Sequence, residues 1–143
     1  TLRGSGWEID ERMHGYAAYN DLNFIPVVEQ DGDCYARSKV RFYEVLHSID
    51  LIREALNRLP DSELTVKLPG NPDGESIFRV EQPRGELFYY VRANGTKMLE
   101  RMRVRTPTFA NIPALLHMLP GCKLPDVPVI VLSIDPCISC TER

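Results

Sequence analysis

The sequence predicts an α+β chain made of one long helix, an antiparallel sheet with a hairpin, a short helix and a final strand. Three observations carry that expectation. Apolar residues recur every three or four positions from Val40 to Leu59, the repeat of a helix face. Asn94-Gly95 stands between two stretches of strand-like alternation, the pair that best supports a tight hairpin turn. The apolar run Val127-Pro128-Val129-Ile130-Val131-Leu132 leads into Asp135-Pro136-Cys137-Ile138-Ser139-Cys140, and its brevity and β-branched content suit a buried strand.

Residues 1–32 read as an irregular arm wrapped on something else, because Gly4, Gly6 and Gly15 break any regular period. His14, alone in this arm, is expected at the surface. Residues 33–59 form the long helix, with Asp33 as N-cap after Gly32 and Pro60 as the stop. Its stripe of Val40, Tyr43, Leu46, Ile49, Ile52, Leu56 and Leu59 is expected to face the core. Arg37, Arg41, Glu44, Arg53, Glu54 and Arg58 lie off that stripe and read as a solvated face with pairs three and four apart. His47, beside the stripe, reads as a packing residue.

Residues 64–105 form a β region. It opens with a short strand at 64–68, followed by the turn cluster Pro69-Gly70-Asn71-Pro72-Asp73-Gly74. A strand at 76–81 is interrupted by Gln82-Pro83-Arg84-Gly85, and two arms, 86–93 and 96–105, flank Asn94-Gly95. In the second arm Met98, Met102 and Val104 share one face. Leu99, Arg101, Arg103 and Arg105 share the other, which meets solvent or an acidic neighbour. Residues 108–119 form a short helix capped by Thr108, with Pro113 near its start, Ile112, Leu115, Leu116 and Leu119 inward, and Pro120-Gly121 at its end. His117 is expected on its surface. Residues 127–143 hold the final strand and the cysteine motif. There is no internal repeat and no low-complexity segment.

A chain of 143 residues is one domain's worth and long enough to bury a core. The net charge of −3 gives no reason to expect a nucleic-acid partner. No apolar run approaches the ~20 residues of a membrane helix, and no signal peptide is visible. The first residue, Thr1, leads to the expectation of a processed product or a fragment. Cys34 and Cys122 stand apart and read as small buried hydrophobes. Cys137 and Cys140 form a C-x-x-C, which in a reducing compartment favours metal or redox chemistry over stapling.

Two thiolates close only half of a tetrahedral shell. A zinc site needs a second Cys or Cys/His pair at useful spacing, and the sequence has none. A thioredoxin-like motif opens a helix with chain continuing behind it, whereas here the sequence stops three residues after Cys140. A second candidate is Arg84 in Glu81-Gln82-Pro83-Arg84-Gly85-Glu86. A proline before it and a glycine after it suit a guanidinium aimed at an anion or polar ligand; pairing with Glu81 or Glu86 is the alternative. A third is Arg105-Thr106-Pro107-Thr108, a helix start that suits a small anion or is simply a cap.

The combination of these motifs is more specific than any one of them. Gly32-Asp33-Cys34-Tyr35-Ala36-Arg37, Glu81-x-Pro83-Arg84-Gly85-Glu86, Arg105-Thr106-Pro107-Thr108-Phe109 and Asp135-Pro136-Cys137-x-x-Cys140 occur in that order. Together they resemble the C-terminal part of the large subunit of [NiFe] hydrogenases, in the energy-converting, membrane-associated branch of the formate hydrogenlyase and Ech type. The resemblance spans essentially the whole chain and implies a portion of a larger α-rich large-subunit fold. It implies Cys137 as a terminal nickel ligand and Cys140 as a thiolate bridging nickel and iron, with carbon monoxide and cyanide completing the Ni–Fe centre. Arg84 and Pro83 would line the pocket at the iron, Asp135 would stand beside Arg84, and Thr108 would donate to a cyanide. Proton movement is expected to begin at a cysteine sulfur or a nearby base.

The implied reaction is reversible H₂ oxidation and proton reduction, with electrons passing to an iron–sulfur small subunit and ion pumping left to membrane subunits. The implied location is the cytoplasmic face of the membrane, as a peripheral subunit. The resemblance also implies nickel-insertion factors and a maturation endopeptidase that cuts just after the cysteine motif, where Arg143 stands in place of the His of other branches. The same pattern, without the cysteines, marks the quinone-site subunit of complex I, the 49 kDa type. A quinone-reductase-type subunit and a stand-alone metal- or partner-binding module are therefore the alternatives. The other two nickel ligands belong to an R-x-C-G-x-C-type motif that this sequence lacks. The 143-residue piece alone is accordingly expected neither to retain nickel nor to evolve hydrogen, which nickel stoichiometry and a hydrogen assay on the purified chain measure directly.

Overall fold

The computed structural model describes residues 1–142, so the expectation attached to Arg143 lies outside the described residues. The architecture is mixed α+β, with a three-stranded antiparallel sheet and four helices among the described residues. The longest helix, α1, runs Cys34–Asn57. Asp33 caps it as its sequence position predicts, its carboxylate accepting the Ala36 N–H at 2.7 Å. Such a bond satisfies one of the helix's orphan donors.

Sheet order is β1 (Asp73–Gln82), β2 (Gly85–Asn94), β3 (Leu99–Arg105), with consecutive strands paired. Gln82 opposes Gly85, so Pro83 and Arg84 are the tip of the first hairpin. Gly85 has a φ of 126°, a backbone region in which an L side chain is strained and glycine is not. The second hairpin turns at Asn94-Gly95 as the sequence predicts, with a register shift at Arg92/Ala93. The arginine face of β3 meets both of its expected surroundings: Arg105 pairs with Glu86, while Arg101 and Arg103 are exposed.

Three further helices follow: α2 (Pro107–Met118), α3 (Val127–Ser133) and the single turn α4 (Ile138–Thr141). The expected final strand is α3 instead. A short apolar run fits a buried helix as well as a strand, and Pro128 sits in the first turn of α3, where a missing N–H costs nothing. The expected strand at 64–68 is absent too. Leu64, Val66 and Leu68 are exposed and pair with no strand among the described residues. Nor does Thr108 cap α2: Thr106 occupies the N-cap, Pro107 is the first helical residue, and Pro113 lies inside the helix. Leu116, expected inward, is exposed.

The largest correction concerns the faces of α1. Its expected inward stripe is the exposed one: Tyr43, Leu46, Ile49, Ile52, Leu56 and Leu59 all stand in solvent, and only Val40 of that set is buried. The buried face carries Ala36, Arg37, Val40 and Leu51, with Arg41 and Glu44 partly covered. The arm supplies the reason. Residues 1–32 lay Arg3 and Arg12 against Glu44, and α3 lays Ser133 against Arg37 and Arg41. These partners make burial of the charged face possible. His47 is a packing residue as expected, its Nε2 accepting the Ile25 N–H at 3.2 Å.

The cap yields a direct test. Asp33→Ala is expected to lower unfolding stability by about 1 kcal/mol and Asp33→Asn by only a few tenths. Urea titration of the full-length subunit measures both.

Candidate metal centre

Everything near Cys137 and Cys140 hangs from three supports. The first is the end of α3. Arg37 Nε donates to Ser133 Oγ at 2.9 Å, and Arg41 donates to the Ser133 carbonyl. Two guanidiniums from successive turns of α1 thus satisfy a helix terminus that would otherwise leave acceptors bare. Burial holds the Arg41 pKa below its ordinary value, with Arg37 pressing the same way and Asp135 and Glu44 opposing. Ile134, next in the chain, is almost wholly buried and anchors the exit from the helix.

The second support is the hairpin tip. Arg84 Nε donates to the Asp135 carbonyl at 2.8 Å and lies 3.3 Å from its Oδ2. Arg84 Nη2 reaches Asp135 Oδ1 at 3.5 Å. Asp135 adopts a φ of 53°, a left-handed conformation that Asp tolerates better than most L residues. Asn111 of α2 holds the turn in place by donating to the Arg84 carbonyl at 3.0 Å. Neither Glu81 nor Glu86 takes Arg84: Glu81 pairs with Arg3 and Glu86 with Arg105.

The third support is the start of α2. Thr108, with no exposed surface, accepts the Cys137 N–H on its Oγ1 at 3.2 Å. That contact leaves its single hydroxyl proton available to donate. Thr106 donates to the Cys140 carbonyl instead of capping its own helix. Cys137 is the N-cap of α4, and its carbonyl receives the Cys140 N–H at 3.1 Å and the Thr141 hydroxyl at 3.0 Å. Both cysteines are therefore fixed by their backbones, which leaves their sulfurs to chemistry.

The Cys137 thiol is brought down to about 7. The Ser139 hydroxyl, 3.2 Å from the sulfur, is the main cause, followed by the Cys140 N–H and thiol. A thiolate at neutral pH is what a soft metal requires. The donor set is nevertheless half of one. Among the described residues no group of three or more His, Cys, Asp or Glu could hold a metal ion. Two sulfurs one helical turn apart fit one side of a four-thiolate centre and no complete site.

The remaining sequence candidates fall into place around this core. Pro83 and Arg84 border a cavity of about 350 Å³ shared with Glu81, Arg41 and Ile134. A second cavity of about 580 Å³ is bordered by Pro83, Asp135, Glu44 and Glu81. Cys34 lies on α1, 3.2 Å from Arg37 Nη2 and away from the motif, and Cys122 follows α2. Arg37, Arg41, Asn111 and Ser133 carry the site from behind and were not singled out in the sequence. The spacing of Arg37 and Arg41, one turn apart beside buried Ala36 and Val40, is the signal that points to them.

Known proteins place this geometry in a family. The model of the 49 kDa subunit of respiratory-chain NADH dehydrogenase matches residues 1–71 and 64–143. The carbon monoxide-induced hydrogenase of Rhodospirillum rubrum is 46% identical over 145 residues, covering 100% of this chain and 40% of that protein. The membrane-bound hydrogenase subunit alpha of Pyrococcus furiosus is 40% identical over 161 residues, covering 100% of this chain and 38% of that protein. A solved structure of the membrane-bound sulfane sulfur reductase, an archaeal respiratory membrane complex, superposes with a TM-score of 0.90 at 31% identity, covering 99% of this chain and 41% of that one. The chain thus spans about 40% of the length of the curated relatives it matches.

The lowered thiol has a measurable consequence. In metal-free protein, alkylation of Cys137 is expected to titrate with a midpoint near 7. Ser139→Ala removes the main stabiliser of the thiolate and moves that midpoint upward; peptide mapping after iodoacetamide at graded pH reads it.

Proposed function

The chain belongs to the family of the respiratory-chain NADH dehydrogenase 49 kDa subunit, and from that membership we propose that it forms the cysteine-bearing C-terminal part of a [NiFe] hydrogenase large subunit. The observation that carries this reading is the convergence of Cys137, Cys140, Arg84, Asp135 and Thr108 on one locus through short contacts from three separate elements. Soft thiolates, a guanidinium and a buried hydroxyl are what a centre with anionic diatomic ligands needs around it. The hydrogenase relatives from Rhodospirillum rubrum and Pyrococcus furiosus support the same assignment.

On this reading Cys137 and Cys140 hold one side of the Ni–Fe centre, and two further cysteines outside this sequence hold the other. The bound centre, with carbon monoxide and cyanide on iron, supplies the chemistry of H₂ ⇌ 2 H⁺ + 2 e⁻. The chain's own residues do the rest. Thr106 and Thr108 fix both cysteine backbones. Arg84, braced by Asp135 and Asn111, presents fixed N–H donors beside them, and the Thr108 hydroxyl offers one more. Pro83 contributes an apolar wall with no N–H to compete for those ligands. Low local polarity around these few donors strengthens each of their bonds.

Electrons are proposed to leave through an iron–sulfur small subunit in a complex with membrane subunits, and nickel-insertion factors and an endopeptidase to assemble the site. No helix among the described residues is long and apolar enough to cross a membrane, which agrees with a peripheral place in that complex, proposed here on the cytoplasmic face. Residues 1–142 act as one C-terminal unit on this reading, with the arm as its brace.

The family description itself favours a second reading, a subunit beside a quinone pocket. The sulfane sulfur reductase shares the fold under yet another substrate name, so the fold alone does not fix the reaction. The two thiols separate the readings. In the full-length complex, Cys137→Ser and Cys140→Ser are each expected to abolish nickel retention and hydrogen turnover. Quinone reduction untouched by either change, with no nickel in the parent complex, supports the second reading instead. Metal analysis and a hydrogen electrode make the comparison.

A further inference from the structure

Between the arm, α1 and the first hairpin lies a cluster of buried charges with an uneven count. Arg3 Nη1 stands 2.8 Å from Asp10 Oδ2 and 2.7 Å from Glu81 Oε1, while its Nη2 stands 2.7 Å from Glu44 Oε1. Arg12 grips Asp10 with both prongs, at 2.9 and 2.7 Å, and reaches Glu44 Oε1 at 3.0 Å. Three carboxylates thus share two guanidiniums. The Asp10 side chain is 0% exposed and that of Glu81 5%. A surplus charge at such depth is costly, and an acid that takes a proton removes it.

The contacts indicate which acid. Asp10 receives both prongs of Arg12 and also the Arg12 backbone N–H. Glu44 receives two guanidiniums on one oxygen. Glu81 has Arg3 on Oε1 and only the Glu11 backbone N–H on Oε2, at 3.1 Å. It is the least compensated of the three, and burial pushes its carboxyl above the usual range despite the hydrogen bond from Arg3.

Water connects this acid to the cysteine end. The cavity of about 580 Å³ is bordered by Glu44 and Glu81 at one side and by Pro83 and Asp135 at the other. At ~30 Å³ per molecule it has room for a chain of waters. Arg3 Nε is buried with no hydrogen-bond partner among the described residues, and Arg3 borders the first cavity, beside Glu81 and Arg84. A buried N–H of this kind is what an ordered water satisfies.

We propose that Glu81, facing Glu44 across the cavity water, is a proton-transfer site serving the Arg84–Cys137 end. A proton entering cavity water near Asp135 is passed along it. The water beside Glu81 gives an O–H proton to the carboxylate and is restored by the proton behind it. One O–H bond forms on Glu81 and one breaks on water, no electrons move, and the reverse sequence returns the proton. The groups that set this exchange are Arg3, Asp10, Glu11, Arg12 and Tyr16 on the arm, Arg41 and Glu44 on α1, Arg84 on the turn, and Asp135 beyond α3. The transfer rests on the hydrogenase reading for the reaction it serves, whereas the proton on Glu81 stands independently of it.

Infrared difference spectra of the full-length complex across pH, in H₂O and in D₂O, provide the test. The expected result is a carboxylic-acid C=O band that shifts in D₂O and is missing from Glu81→Gln. Hydrogen turnover in that variant is expected to fall on the order of 10²-fold at unchanged nickel content, with partial recovery in Glu81→Asp. A wild-type complex without the band at any pH where it stays assembled overturns the proposal, as does a band or a turnover that survives Glu81→Gln. If the Gln variant does not assemble, Glu81→Asp decides: the band's midpoint moves if the proton sits there and stays if it does not. Absence of nickel from the parent complex sinks the hydrogenase reading alone, leaving the band to decide the site.

Discussion

The contact between Arg84 and Asp135 is the constraint on which the rest of the molecule depends. Its two residues come from unlike places, the tip of a β-hairpin and the exit from a helix, and no other pair links those parts so directly. Around it the other supports make sense. Asn111 holds Arg84 from α2, and the same helix begins with the threonines that hold the cysteine backbones. Arg37 and Arg41 steady the end of α3, so Asp135 starts from a fixed origin. The pair is half-exposed at both ends, so its worth lies in placement more than in stability, as expected for a partly solvated ion pair.

Much of this was legible in the residues, for identifiable reasons. Asp33 before α1 and Asn94-Gly95 between β2 and β3 act through local geometry alone, and local rules survive any surrounding. The partnership of Arg84 with Asp135 came through the resemblance to a family and was not readable from spacing, since the two lie far apart in the chain. What failed were the inferences that depend on neighbours. Val127–Ser133 satisfied strand and helix patterns alike, and Pro128 tips it toward helix only once it is seen to sit in a first turn. Residues 64–68 had a strand's composition but no strand beside them. Thr108 looked like a cap and is instead an acceptor for a distant backbone N–H.

The inverted faces of α1 are the most instructive failure. Amphipathicity reports which side of a helix avoids water, and it says nothing about which side a given piece of chain covers first. Here the arm and α3 bring guanidiniums, carboxylates and a serine to the polar side, so the charges become interior and the aliphatic stripe is left outside. The interior is consequently held by ion pairs as much as by apolar contact, with Ala36, Val40, Leu51, Ala93 and Ile134 as its only buried hydrophobic residues among those described. A core built this way is specific in its pairing and poor in apolar burial.

Asp135 illustrates how backbone and charge together restrict what a position can hold. Its left-handed φ of 53° narrows the suitable residues to glycine, asparagine and aspartate. Its ion pair with Arg84 narrows them again, because asparagine and glycine carry no charge and glutamate, which does, is a poor fit to that backbone. Neither demand alone is strict. Together they leave the position an alphabet of a single letter, and mutational drift along this segment must go around it.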